Sequence, residues 1–229
     1  MRLIIRDLKK IVEQKAVLDE ASYSFKHGKV YGLVGARDEG KKALIDVIAS
    51  EARYESGSIK IEADWKEHRI RYSDIGIVSG NQVLPEYMTG VEFIKSFVEV
   101  NKDVIETMDN YNALFDTYRI TEEVRNTLIK DYTLSDRIKL QMMSMKLLKP
   151  SILIFDEAIN SDSKVKLQLV KKTVEELKKD RIIIFSTENI ALATELCDEY
   201  LIIDNGIIRS MEADKMVEFI KAKEEGYNA

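Results

Sequence analysis

The stretch that most restricts the fold is residues 30–48. There the apolar run Val30-Tyr31-Gly32-Leu33-Val34 passes into Gly35, four residues, Gly40 and Lys41, and then into Ala43-Leu44-Ile45. A short continuous apolar run bounded by glycine reads as a strand buried on both faces, an environment that belongs to a parallel sheet covered by helices. The Gly-x4-Gly-Lys spacing between strand and helix is that of a phosphate-binding loop, in which backbone N–H groups and a helix N-terminus face the anion. The contents depart from that pattern. Asp38 and Glu39 lie inside the loop, and Lys42 follows Lys41 where Ser or Thr is usual.

Strand signals recur on either side. Apolar or alternating runs at residues 3–5, 22–25, 58–61, 75–78, 151–155, 181–185 and 200–204 read as strands, and residues 43–50, 164–179 and 190–197 read as helices. Between residues 87 and 149 strand signals vanish, and Phe93, Phe97, Val100, Val104, Met108, Tyr111, Leu114 and Phe115 recur at helical spacing. The only two prolines, Pro85 and Pro150, bound that block. This order predicts an α/β fold in one domain: a mixed, mostly parallel sheet flanked by helices, with a helical subdomain inserted over residues 86–149. Met142, Met143 and Met145 read as core packing, Trp65 as part of a polar surface stretch, and residues 221–229 as a fraying polar end.

Composition narrows the function classes. A single cysteine, Cys197, excludes an internal disulfide and a cysteine-based metal cluster, and two histidines leave little for a zinc site. The net charge of -5 gives no electrostatic reason to expect nucleic acid. No apolar run approaches the roughly 18 residues of a membrane span, and the N-terminus lacks the shape of a signal peptide, so the expected location is cytoplasmic.

Taken in order, these parts resemble the nucleotide-binding subunit of an ABC transporter over nearly the whole chain. The likeness is carried by Gly35, Gly40 and Lys41, by Leu134-Ser135 ahead of a helix, and by Pro150 followed by Ile152-Leu153-Ile154-Phe155-Asp156-Glu157. It closes with Glu195-Leu196-Cys197-Asp198 and Ile202-Ile203-Asp204-Asn205-Gly206. The resemblance implies ATP and Mg²⁺ as ligands. It puts Gly35, Arg37, Gly40, Lys41 and Lys42 at the phosphates, has Asp156 holding the metal through water, and makes Glu157 the general base. It also implies that Ser135 reaches the nucleotide of a partner subunit, that Glu188 stands at the switch-histidine position, and that Gln82 is a displaced candidate for the metal-contact glutamine. The implied partners are a transmembrane permease subunit and a second nucleotide-binding subunit, in a homo- or heterodimer on the inner face of the cell membrane.

Several contacts depart from the family. Lys42 replaces the hydroxyl that ligates Mg²⁺, and an ammonium donates hydrogen bonds but cannot coordinate a metal. The signature Leu-Ser-Gly-Gly-Gln reads Leu134-Ser135-Asp136-Arg137-Ile138, so Asp136 adds charge where glycine lets two subunits approach. In the loop, Asp38 and Glu39 oppose an anion, and at about 4 Å one such repulsion is on the order of 1 kcal/mol in water and about 4 kcal/mol at an intermediate dielectric. No aromatic precedes Tyr23, so the adenine-stacking position near Val12 is aliphatic, and Asp162 is the candidate for the acid that ends the loop after Glu157. Lys42 has two readings: beside Asp156 at the metal position, or turned to solvent and to Asp38 and Glu39. The expectation is an ATP-binding subunit of a bacterial export-type ABC transporter in which ATP binding and hydrolysis are weak or lost and the role is structural or regulatory. The alternatives are an active ATPase motor and a non-transport interaction module on the same fold.

Overall fold

The computed structural model describes the chain except residues 36–38, 81–83, 106–109, 159–163 and 228–229, and except the side chains of residues 39, 164–166, 169 and 223–227. The N-terminal part contains β1 (Arg2–Val12), β2 (Lys15–Lys26), β3 (Lys29–Val34), α1 (Glu39–Ile48), β4 (Ser56–Ala63), β5 (Lys66–Arg69) and β6 (Ile75–Ser79). Helices follow: α2 (Gly90–Val100), α3 (Asn112–Thr117), α4 (Glu122–Arg125) and α5 (Leu134–Leu148). The chain then alternates through β7 (Ile152–Asp156), α6 (Lys164–Leu177), β8 (Ile182–Thr187), α7 (Ile190–Leu196), β9 (Glu199–Asp204), β10 (Ile207–Met211) and α8 (Ala213–Tyr227).

These strands form two sheets. One is antiparallel, in the order β2-β1-β4-β5, and the other runs β10-β9-β3-β8-β7-β6. In the second sheet β9, β3, β8, β7 and β6 pair in parallel and only β10 is antiparallel, so the fold is the mixed, mostly parallel α/β arrangement that the sequence predicts. Period-two alternation divides its side chains between two cores. Val30, Val34, Leu153, Phe155, Ile183 and Phe185 face the cluster that includes the long helices. Tyr31, Leu33, Ile152, Ile154, Ile182 and Ile184 face α1 and the antiparallel sheet. Both faces are therefore covered, which is why the central strands read as unbroken apolar runs. Phe155 and Phe185 stack across the β7–β8 pair with centroids 4.4 Å apart.

Several boundaries differ from expectation. The helical spacing read through residues 100–115 is interrupted: α2 ends at Val100, the Asn101 N–H bonds back to the Phe97 and Val98 carbonyls, and Val104 is exposed. Met108 lies outside the described residues. The polar stretch after Trp65 is a strand, β5, because Asp64 and Trp65 both adopt positive φ and turn β4 back on itself. Its residues are polar on both faces, so no alternation marked it. The fraying end belongs to α8, which continues to Tyr227. Met142, Met143 and Met145 are buried in the core. Among the described residues no helix is long and apolar enough to cross a membrane.

Candidate functional site

Parallel register gathers three chain turns at one end of the large sheet. Val34 of β3 pairs with Thr187 of β8, and Asp156 of β7 pairs with Ser186. One residue further along each strand stand Gly35, Glu188 and Glu157, at the carboxyl ends where open α/β sheets bind ligands. Glu157 leaves its strand in the left-handed region at φ 47, and its N–H donates to the Ser186 carbonyl at 3.1 Å. Glu188 is exposed at the end of β8.

Lys41, in the first turn of α1, is only 3% exposed. Its ammonium donates to the Gly35 carbonyl at 2.6 Å and lies 3.6 Å from a Glu157 carboxylate oxygen. Lys41 thus contacts both of the other sequence-predicted residues, Gly35 and Glu157. Gly35 has φ +143, and nothing lies within 4 Å of the point where a Cβ would stand. A buried ammonium beside Gly35, in the first turn of a helix, suits a phosphate group.

The Lys42 side chain is 63% exposed, as in the solvent-facing reading, while Asp38 and the side chain of Glu39 lie outside the described residues. The Lys42 ammonium bonds the Asp46 carboxylate at 2.5 Å, one turn along the same helix. That bond raises the Lys42 pKa above its ordinary value, and the negative charge of Asp156 adds to the effect. Lys42, Asp46, Ser79 and Asp156 line one cleft of about 730 Å³ between α1, β6 and the ends of α2 and α5. The position of the family's oxygen ligand holds Lys42, an ammonium that donates hydrogen bonds and cannot coordinate a metal.

The signature segment forms the N-terminus of α5. Thr133 caps the helix by accepting from the Asp136 N–H, and Ser135 is half-buried in the first turn. Asp136 is not a bare charge: it accepts from the Thr133 hydroxyl at 2.6 Å and pairs with the Lys139 ammonium at 2.8 Å. Arg137 donates to the Lys130 carbonyl at 3.0 Å. The repulsion expected from Asp136 is therefore partly neutralised within its own turn. Arg37, Gln82, Asp38 and Asp162 lie outside the described residues, as does the side chain of Glu39.

One positioning residue escaped the sequence reading. Gln141 is buried on α5, its amide oxygen accepting from the Ser79 N–H at 2.9 Å and its amide nitrogen donating to the Ser79 carbonyl at 3.0 Å. Ser79 is the register partner of Asp156, so this clamp joins the signature helix to the strand end beside the site. The only sequence signal is a single amide in the run Leu140-Gln141-Met142-Met143, where a polar group must be satisfied if buried.

This fold and this loop define a domain of the P-loop nucleoside-triphosphate-binding class. The model of the ABC transporter family matches residues 18–160, and the chain belongs to that family. The uncharacterized ABC transporter ATP-binding protein YdbJ of Bacillus subtilis (strain 168) is 25% identical over 214 residues, covering 91% of this chain and 68% of the relative. A solved ATP-binding subunit of an ABC transporter superposes with a TM-score of 0.80 at 19% identity, covering 96% of this chain and 94% of the other. A bacterial Atm1-family ABC exporter with ATP bound superposes with a TM-score of 0.77 at 14% identity, covering all of this chain (100%) and 42% of the exporter. The chain is an ATP-binding subunit of the ABC transporter type, for which the family implies ATP and Mg²⁺.

Proposed function

We propose that the chain serves an export-type ABC transporter as a structural or regulatory nucleotide-binding subunit with little or no ATP hydrolysis of its own. The observation that carries this reading is the ion pairing of Lys41 and Lys42 at the start of α1. Lys42 stands where the metal needs an oxygen and is bound to Asp46, while Glu157 is tied to Lys41. Glu157 in that pose has one carboxylate oxygen 3.6 Å from the cation that phosphate would meet. The substituted signature, with Asp136 and Arg137 in place of two glycines, weakens the other half of a composite site in the same direction. Export is the direction of transport named for the ATP-bound neighbour of the fold.

In this reading the chain lies on the inner face of the membrane, and the helical block over residues 86–149 meets a permease subunit. The 730 Å³ cleft supports that contact. Its walls include Ile45, Phe97 and Leu148, its rim carries Val100 at 79% exposure and Tyr72 at 94%, and Asp46 and Glu51 give it acidic character. A short amphipathic helix of the permease bearing a basic residue fits that chemistry. A second subunit completes the dimer.

The test is steady-state ATP turnover by the purified chain, with Glu157→Gln as the blank. The expected result is no turnover above the blank. Glu157-dependent turnover on the order of 1 s⁻¹ or faster, the ordinary enzymatic range, would replace this reading with an active motor.

A further inference from the structure

We propose that the outer edge of β5 takes an extended acidic segment of a partner protein, which adds to the antiparallel sheet as a further strand. β5 ends the order β2-β1-β4-β5 and pairs only with β4. Beyond that pairing, the one hydrogen bond to its backbone among the described residues is local: the His68 ring donates to the Arg69 carbonyl at 3.0 Å. Alternate residues of an antiparallel strand turn their N–H and C=O groups to opposite sides, so a strand paired on one side presents the remaining groups outward. No residue of the phosphate site takes part.

Charge selects the occupant. β5 reads Lys66-Glu67-His68-Arg69, and its one acid is already held by Arg6 and Lys60. The Lys66 and Arg69 side chains have no ion pair or hydrogen bond among the described residues. Register sets Arg69 directly opposite Lys60, two like charges on one face, and Glu67 offsets only Lys60. A short charged edge ordinarily discourages strands from adding. This one repels basic strands and admits acidic ones, being locally positive in a chain of net charge -5. Side chains of an added strand alternate between the two faces. Acids suit the face of Lys60 and Arg69. Apolar residues suit the other face, where Ile59 and Ile61 are buried and a cavity of about 410 Å³ has Val47, Ile59 and Ile70 in its walls. Trp65, 92% exposed at the start of the edge, adds an uncovered aromatic surface of the kind enriched in interfaces. The fitting occupant is an extended segment that alternates acidic and apolar residues.

Trp65 is the chain's only tryptophan, so its emission reports on this edge alone. The probe is a capped, labelled peptide of alternating glutamate and valine, about six residues long, followed by anisotropy against the full chain. It is expected to bind and to shift the Trp65 emission, whereas the same peptide with lysine for glutamate does neither. Arg69→Glu is expected to weaken binding about tenfold, near the worth of one charge-assisted contact. Two further peptides carry N-methyl groups, one at every valine and the other at every glutamate. Strand addition predicts that one of them loses binding and the other keeps it, because only alternate N–H groups face the neighbouring strand. No binding, binding that leaves the Trp65 emission unchanged, or equal binding of the lysine peptide overturns the proposal. So does an equal response to the two methylated peptides, which would reduce the contact to charge alone. Should Arg69→Glu fail to fold, the methylated pair against wild type decides. Phosphatidylserine vesicles that shift the Trp65 emission where the peptide does not would make this a lipid-facing surface and overturn the proposal.

Discussion

At the scale of single residues, the charges that matter most here are paired. The Lys41 ammonium, nearly sealed from solvent, is shared between the Gly35 carbonyl and Glu157, and Lys42 is held by Asp46. On the antiparallel sheet, Glu67 lies between Arg6 at 2.5 Å and Lys60 at 3.0 Å. The bond from Arg6 is the largest cause, with Lys60 second, of a Glu67 pKa lowered from 4.5 to about 2. The folded value lies below the unfolded one, so the carboxylate's contribution is complete above pH 4.5 and is lost as pH falls from 4.5 toward about 2. Glu67→Gln is therefore expected to shrink the fall in Tm across that window, as read by thermal melts at stepped pH. An unchanged acid limb would show that the pair, exposed as it is, contributes nothing measurable.

At the scale of elements, the legible parts were those whose physical cause is local. Val30 to Val34 could be read because a strand buried on both faces must be continuously apolar, and the glycine spacing after it marks the loop whatever else the loop contains. β5 could not be read, because a strand with polar residues on both sides carries no periodicity, and its turn depends on positive φ at Asp64 and Trp65 rather than on glycine. The site was half legible. Gly35, Lys41, Asp156 and Glu157 follow from motif order, whereas the Lys42–Asp46 bond is a choice among rotamers of a long side chain. The Gln141 clamp is a contact between residues 62 positions apart. Gln141→Ala removes both bonds to Ser79 and opens a gap beside β6. We expect a loss of about 1–3 kcal/mol, measured by urea unfolding, from the lost hydrogen bonds alone. A change below about 0.5 kcal/mol would mean that the strand end is held by its other neighbours.

At the scale of the whole molecule, two cores share one sheet. One core joins the large sheet to α1 and the antiparallel strands, and the other joins it to the long helices. The cleft that carries Lys42 and Asp156 opens between these two bodies, so the phosphate side of α1 and the exposed rim at Val100 and Tyr72 border the same space. A permease segment seated there would touch the helix that bears both lysines. Val100→Glu places an acid on a rim that already faces Asp46 and Glu51, and Val100 is too exposed to matter to the core. The variant is expected to keep the wild-type Tm and to lose co-purification with the permease subunit. Retained co-purification would move the docking surface elsewhere.

The central claim is that this chain keeps the ABC cradle and fold for assembly, with little chemistry of its own. The most direct measurement exchanges wild type for Glu157→Gln in the assembled transporter and follows transport. Unchanged transport is predicted if, as proposed, this subunit contributes little or no hydrolysis of its own. Transport abolished by the exchange, with assembly intact, would contradict the account and make this subunit a motor.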